Sequence, residues 1–192
     1  MLATLLLATT ALAAAPPVSV RLNNDGRFQP GEGVAVTVTP EGDGYLVVLH
    51  ADPDGRIRVL FPLDPTDDAF VRGGREYELR TRGGRRELFI ADWQEGSGTV
   101  LAALSSDPFM AGGLTLNNHW DYRVLQRDQT LDDESALRTV VEQLAPRGFT
   151  YDVVPYVIAG GFGGGGGGGN SVVAFGVGVG VGAWGWVDPF WG

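Results

Sequence analysis

The sequence predicts a mostly β fold: an antiparallel β-sandwich of the immunoglobulin-like type, followed by one C-terminal helix and a glycine-rich tail. Short apolar or alternating segments recur between residues 18 and 105, and turns rich in Gly, Pro, Asn and Asp separate them. Because no helical period interrupts these segments, sequential hairpins are favoured over βαβ units.

The clearest element is a hairpin over residues 44–62. Residues 45–50 and 57–61 are rich in β-branched and aromatic side chains, which favour strands. The connection Asp52-Pro53-Asp54-Gly55 suits a turn, since Asp accepts hydrogen bonds at its start, Pro fixes φ and Gly adopts the left-handed conformation.

The two strands of this hairpin differ in pattern. The first is apolar on both faces, which predicts a mid-sheet position covered on both sides. In the second, Ile57, Val59 and Phe61 are expected on the buried face, and Leu60 is an exception to the alternation.

The remaining elements follow from the same periodicities. Further strands are predicted over 18–22, 34–39, 76–81, 85–93 and 99–105. A helix is predicted over 131–145, with Thr130 and Asp133 as a capping box and with Leu137, Val140, Val141 and Leu144 forming its apolar stripe. The segment 149–158 predicts an edge strand, because Pro155 cannot donate to a ladder.

Residues 1–13 have the features of a signal peptide. The run is apolar but too short to span a bilayer, and Ala11 and Ala13 form an A-x-A cleavage pattern. We therefore expect export, with the mature protein in the periplasm or cell envelope.

The expected divisions of the chain are the signal peptide 1–13, a β-sandwich domain 18–109, a helix-containing extension 110–159 and a glycine-rich low-complexity tail 160–192.

The tail combines a run of seven glycines at 163–169 with alternating valine and glycine after it. Three interpretations stay open: a weakly ordered appendage, a strand-forming segment, or a membrane-associating segment. The glycine run is not a nucleotide site, because no helix or Lys follows it.

Composition excludes several function classes. The formal net charge is −9, which disfavours binding to nucleic acid, and the absence of Cys removes disulfides, thiolate catalysis and Cys-based zinc sites. Eight of the fourteen arginines lie between Arg56 and Arg86, interleaved with glutamates, and cross-strand ion pairs are the favoured explanation over a surface for an acidic partner.

Catalytic and metal-binding patterns are weak. His50 and His119 are both interpreted as structural, no G-x-S-x-G motif is present, and neither an enzyme activity nor a cofactor is expected. Asp52 and Asp54 could meet a calcium ion, but a role in the turn is favoured. The candidate interaction residues are aromatic: Trp93, Trp120, Tyr122, Trp184, Trp186 and Trp191.

A family resemblance supports this reading. The segments Phe28-Gln29-Pro30-Gly31-Glu32, Tyr45-Leu46, Asp54-Gly55-Arg56 and Leu60-Phe61-Pro62, with the strand at 100–106, resemble the bacterial family known as domain of unknown function 4384. The resemblance covers about residues 18–109. It implies a β-sandwich module of exported or signalling proteins, with no established activity and no catalytic residues to transfer.

Three functional hypotheses follow. The first is a non-catalytic module that binds an envelope protein or polymer, its oligomeric state left open. The second is a small-ligand or carbohydrate binder that uses exposed aromatics such as Trp93, Trp120 and Tyr122. The third is a membrane-associated assembly protein anchored by its apolar tail.

Overall fold

The computed structural model describes residues 17–92, 95–126 and 130–159. The helix is α1 (Asp133–Leu144), and a 3₁₀ turn at Asn23–Gly26 follows the first strand. The strands are β1 (Val18–Leu22), β2 (Arg27–Phe28), β3 (Gly33–Pro40), β4 (Gly44–Ala51), β5 (Ile57–Phe61), β6 (Phe70–Val71), β7 (Tyr77–Glu78), β8 (Glu87–Ile90), β9 (Gly96–Ser105), β10 (Thr115–Leu116), β11 (His119–Trp120) and β12 (Thr150–Ile158).

These strands form two main sheets. The larger sheet has the order β2-β12-β9-β4-β5, and β6 also pairs with β4. The smaller sheet has the order β1-β3-β7, and β8 pairs with β3. Among these pairs the contact of β12 with β2 is parallel and the others are antiparallel. The predicted mostly β, sandwich-like architecture with one helix is confirmed, whereas the immunoglobulin-like connectivity stays a prediction.

The larger sheet is buried on both faces. On β4, Leu46 and Val48 belong to the core shared with the smaller sheet, while Val47 and Leu49 belong to the core beneath α1. Strand β9 alternates between the same two cores. A strand covered on both sides needs apolar residues at every position, so the continuous apolar run of β4 is explained and its predicted mid-sheet position is confirmed.

Helix α1 covers the outer face of the larger sheet. Its predicted stripe is confirmed, because Leu137, Val140, Val141 and Leu144 are all buried in that core. The predicted cap is wrong by two residues. The N-cap is Asp132, whose side chain accepts a hydrogen bond from the backbone N–H of Ser135 at 2.8 Å.

The predicted hairpin turn is confirmed. The backbone N–H of Gly55 donates to the carbonyl of Asp52 at 2.8 Å, and Gly55 has a φ of 78°. The Asp52 carboxylate accepts from the backbone N–H of Arg56 at 2.8 Å, so this side chain is part of the turn.

A β-bulge explains the exception at Leu60. On β4, Leu49 pairs with Val59 and its neighbour Val48 pairs with Phe61. Leu60, between the two paired residues of β5, therefore has no partner and is an extra residue in that strand. The alternation therefore shifts at this point. The prediction that Phe61 shares a face with Ile57 and Val59 is wrong, because Phe61 packs with Leu60 against the core between the sheets.

The predicted edge position of β12 is confirmed around Pro155, whereas the last two residues of the strand also have a second partner strand. Strand β12 pairs with β9 along its whole length and with β2 through Val157 and Ile158. Pro155 lies outside the short pairing with β2, so that part of β12 has only β9 as a ladder partner and tolerates a residue without an N–H. Segment 110–159 thus contributes a strand and a helix to the same two-sided core.

The predicted strands 76–81 and 85–93 are shorter in the structure, where β7 and β8 lie on either side of the predicted turn at Arg82-Gly83-Gly84. Around them, Glu78 pairs with both Arg80 and Arg86, and Glu76 pairs with Arg21 at 3.0 Å. Ion pairing on a solvated face, the favoured explanation for the arginines, is therefore observed there.

No helix among the described residues is long and apolar enough to cross a membrane. The predictions for 1–13 and 160–192 lie outside the described residues.

Candidate functional site

A groove opens along one side of the sandwich. Strand β5 is the last strand of the larger sheet, and β8 lies beside β3 in the smaller one, so the space between them is not closed by a ladder. The groove has a volume of about 530 Å³. We call it the apolar groove, since most of its wall is aliphatic or aromatic: Val59, Leu60, Leu63, Leu88, Phe89 and Leu125.

A second cavity adjoins the apolar groove. It has a volume of about 390 Å³, and Arg58 and Phe89 line both spaces. We call it the polar pocket, because His50, Asp52 and Asp92 contribute to its wall. The two cavities together place an apolar wall beside a cluster of charged and polar side chains on one side of the protein.

His50 is the most buried polar residue at the site. Its side chain is 4% exposed, its ring stacks on Phe89 with centroids 4.0 Å apart, and Nε2 lies 2.7 Å from the Tyr156 hydroxyl. Burial, assisted by the charge of Arg58, lowers the pKa of His50 from 6.5 to about 3. The imidazole is therefore neutral near pH 7 and a weak base.

The phenol of Tyr156 is the hydrogen-bond partner of the His50 ring. Burial, together with the charge of Asp52, raises the pKa of Tyr156 well above its usual value, so the phenol stays protonated. This hydroxyl is hydrogen-bonded to Nε2 of His50, and a phenol can either donate to a ring nitrogen or accept from it. The other ring nitrogen, Nδ1, is buried and has no hydrogen-bond partner in the part of the chain that the structure describes.

Two arginines stand where the cavities meet. The guanidinium of Arg56 forms an ion pair with the Asp54 carboxylate at 3.0 Å. Arg58 lies opposite His50 in the register of β4 and β5, is exposed, and forms no ion pair with any described residue. In a chain with a net charge of −9, the site therefore contains a cation that forms no ion pair within residues 17–92, 95–126 and 130–159.

The aromatic residues predicted as interaction sites differ in their exposure. Tyr122 lines the apolar groove and is 48% exposed, and burial raises its pKa. Trp120 is 7% exposed, and its Nε1 donates to the carbonyl of Pro62 at 3.0 Å. The expectation of an exposed ring is thus wrong for Trp120, because the ring fills the core beneath α1. The other candidates, Trp93, Trp184, Trp186 and Trp191, lie outside the described residues.

The remaining polar candidates have local partners. Nδ1 of His119 lies 2.9 Å from the Asp64 carboxylate on the surface, away from His50 in the fold's interior. Asp52 serves the turn, and Asp54 pairs with Arg56. No group of three or more His, Asp or Glu side chains that could hold a metal ion occurs within 17–92, 95–126 and 130–159.

Sequence reasoning missed the groove itself. Arg58 and Tyr122 were each visible as polar or aromatic surface residues, but their sequence separation conceals that both face one cavity. The available signal was the position of β5, which is the second strand of the hairpin and has no apolar strand directly after it.

The fold and the groove define a class: a mostly β, two-sheet protein with one covering helix and a partly apolar cleft on its open side. Residues 27–108 match the family described as Domain of unknown function (DUF4384), which confirms the resemblance. The match spans β2 to β9 and omits β1 before it and every element from β10 to β12 after it, α1 included. Comparison with curated proteins and with solved structures finds no match to the chain.

Proposed function

We propose that this protein is an exported, non-catalytic binding module that holds another component of the bacterial cell envelope in the apolar groove. The observation that carries the proposal is the groove, whose size and largely apolar wall with few polar groups are typical of binding sites. The neutral, hydrogen-bonded state of His50 fits a structural role better than proton transfer. Export rests on the leader-like residues 1–13.

Site-directed photocrosslinking tests the binding surface. A benzoylphenylalanine at Tyr122 in the full-length protein would lie in the groove, whereas one at Val157 would lie on an exposed position at the far side of the larger sheet. We expect mass spectrometry to find an envelope-derived adduct at position 122 and none at 157. Equal labelling at both positions, or none at 122, contradicts the proposal.

Fractionation tests export. We expect the mature protein in the periplasmic or envelope fraction, with its N terminus at residue 14 after cleavage behind Ala13. Full-length protein that keeps residues 1–13 and stays in the cytoplasm overturns this part of the proposal.

A carbohydrate-binding role is the second candidate, and the half-exposed ring of Tyr122 favours it. The burial of Trp120 leaves fewer aromatic platforms for a sugar ring than the sequence suggested. A glycan array that includes the Tyr122→Ala variant separates the two: saccharide binding that this change removes would favour the second candidate.

Attachment to a membrane through residues 160–192 remains a proposal from sequence, and an envelope fraction that releases the protein in high salt would contradict it.

A further inference from the structure

The apolar groove and the polar pocket adjoin through shared lining residues and differ in the charged and polar groups that each adds. Arg58, Leu88 and Phe89 line both cavities. The apolar groove adds Leu63 and Leu125 to them, whereas the polar pocket adds His50, Asp52 and Asp92 beside apolar residues such as Ile90. A ligand that lies in the groove and reaches Arg58 would contact an apolar wall along its length and a cation at its end.

The charge that a ligand would carry at its polar end follows from Arg58 and its neighbours. Its guanidinium is the cation at the junction that lacks an ion pair among the described residues, because Arg56 is held by Asp54. A carboxylate matches the planar guanidinium through two parallel hydrogen bonds. The acidic side chains of Asp52 and Asp92 in the polar pocket oppose a ligand with several negative charges.

The apolar end has room for a chain rather than a flat polar ring. Val59 and Leu60 of β5 form one wall, Leu88 and Phe89 of β8 the other, and Tyr122 stands half-exposed at the side. Transfer of a hydrocarbon chain from water into such a wall is favourable in proportion to the area buried.

We infer that the groove binds a single-chain amphipathic carboxylate, with its hydrocarbon chain between β5 and β8 and its carboxylate on Arg58. This inference rests on the proposed function and specifies the chemistry of the envelope component that the groove holds. It makes Arg58 the residue that selects for charge and the apolar wall the part that supplies most of the affinity.

Calorimetric titration of the full-length protein with dodecanoate, below its micellar concentration, tests the inference. We expect saturable one-to-one binding, about tenfold weaker binding of 1-dodecanol, and still weaker binding of dodecyltrimethylammonium, whose charge Arg58 repels. The Arg58→Gln variant should bind dodecanoate about tenfold more weakly, since a charge-assisted pair is lost, and should bind 1-dodecanol as the wild type does.

Two controls separate charge from chain. Arg75→Gln removes the same charge from an exposed position outside the groove and should leave dodecanoate binding unchanged. Leu63→Ser in the groove should weaken dodecanoate and 1-dodecanol alike, whereas Val157→Ser, an exposed apolar position elsewhere, should weaken neither. Circular dichroism of each variant verifies that it is folded.

Failure of this inference is distinguishable from failure of the proposed function. Absence of saturable dodecanoate binding, or binding that Arg58→Gln leaves unchanged, overturns the carboxylate inference. If a crosslink from position 122 to an envelope component persists in that case, the binding module stands with a different ligand class. If neither is found, both proposals fall.

Discussion

The hydroxyl oxygen of Tyr156 on β12 lies 2.7 Å from Nε2 of His50 on β4, although strand β9 separates these two strands in the sheet. The hydroxyl reaches across because Gly98 of β9, the register partner of Tyr156, has no side chain. The pair therefore links β4 to β12 across β9, beside the polar pocket.

The first prediction concerns the hydroxyl of Tyr156. Tyr156→Phe removes the only hydrogen-bond partner that His50 has among the described residues and leaves a second buried ring nitrogen unsatisfied. We expect the free energy of unfolding to fall by about 1–3 kcal/mol in urea denaturation. The double variant with His50→Phe should recover part of this loss, because both polar partners are then absent. A double variant less stable than Tyr156→Phe would contradict the assigned bond.

The second prediction concerns Gly98. A Cβ at this position would overlap the Tyr156 hydroxyl and come within 2.6 Å of the Ala51 carbonyl oxygen. Because both neighbours are buried, Gly98→Ala should lower the free energy of unfolding by about 2 kcal/mol. Gly112→Ala is the matched control, since a Cβ there meets nothing within 4 Å, and it should be close to neutral. Equal stabilities of the two variants would contradict the packing described.

The third prediction is a pH dependence of stability. The pKa of His50 is about 3 in the folded protein and about 6.5 when unfolded, so the unfolded chain takes up a proton first as the pH falls. Stability from the neutral imidazole is complete above pH 6.5 and is lost progressively towards pH 3. We expect the free energy of unfolding to fall by about 2 kcal/mol between roughly pH 8 and pH 5.

Two variants assign this dependence to one residue. His50→Gln does not titrate and should abolish most of the slope in that range, whereas His119→Gln, on the surface, should retain it. The same slope in His50→Gln as in the wild type would exclude His50 as its source.

The fourth prediction concerns the helix cap. Asp132→Ala removes the acceptor of the Ser135 N–H and should cost about 1 kcal/mol. Asp132→Asn keeps a side-chain oxygen at the same place and should be nearly neutral. Chemical denaturation of both variants gives the comparison, and equal losses would indicate that the cap does not depend on this hydrogen bond.

The fifth prediction concerns the extent of the folding unit. A fragment of residues 17–109 lacks β12, which pairs with β9 over nine residues, and α1, which covers the outer face of the larger sheet. It should therefore show no cooperative thermal transition, whereas residues 17–159 should unfold cooperatively. A cooperative transition of the shorter fragment would show that the sandwich is independent of its C-terminal elements.

Local patterns predicted much of the fold from the sequence. The run at 45–50, the turn at Asp52 to Gly55 and the stripe of α1 are all encoded within a few neighbouring residues. Such patterns identify strand, turn and helix because backbone geometry and side-chain periodicity act over short distances. The face that each segment buries was also readable, except where the bulge at Leu60 shifted the alternation.

The site was much less predictable. Arg58 and Tyr122 are separated by more than sixty positions, and Trp120, also aromatic and nearby in sequence, is buried instead. Composition and spacing do not distinguish these two aromatic residues, because exposure depends on which distant element covers each one. The apolar groove exists only because β5 and β8 end their sheets on the same side.

By itself, the sequence determined which segments are strands, where the first hairpin turns and which stripe of the helix is apolar. The tertiary structure alone decided that β12 enters the larger sheet beside β9, that Tyr156 reaches His50 and that one side of the sandwich stays open. The physical reason is that an apolar face specifies burial without specifying its partner. Partners are chosen by the packing of the whole chain, where contacts distant in sequence compete.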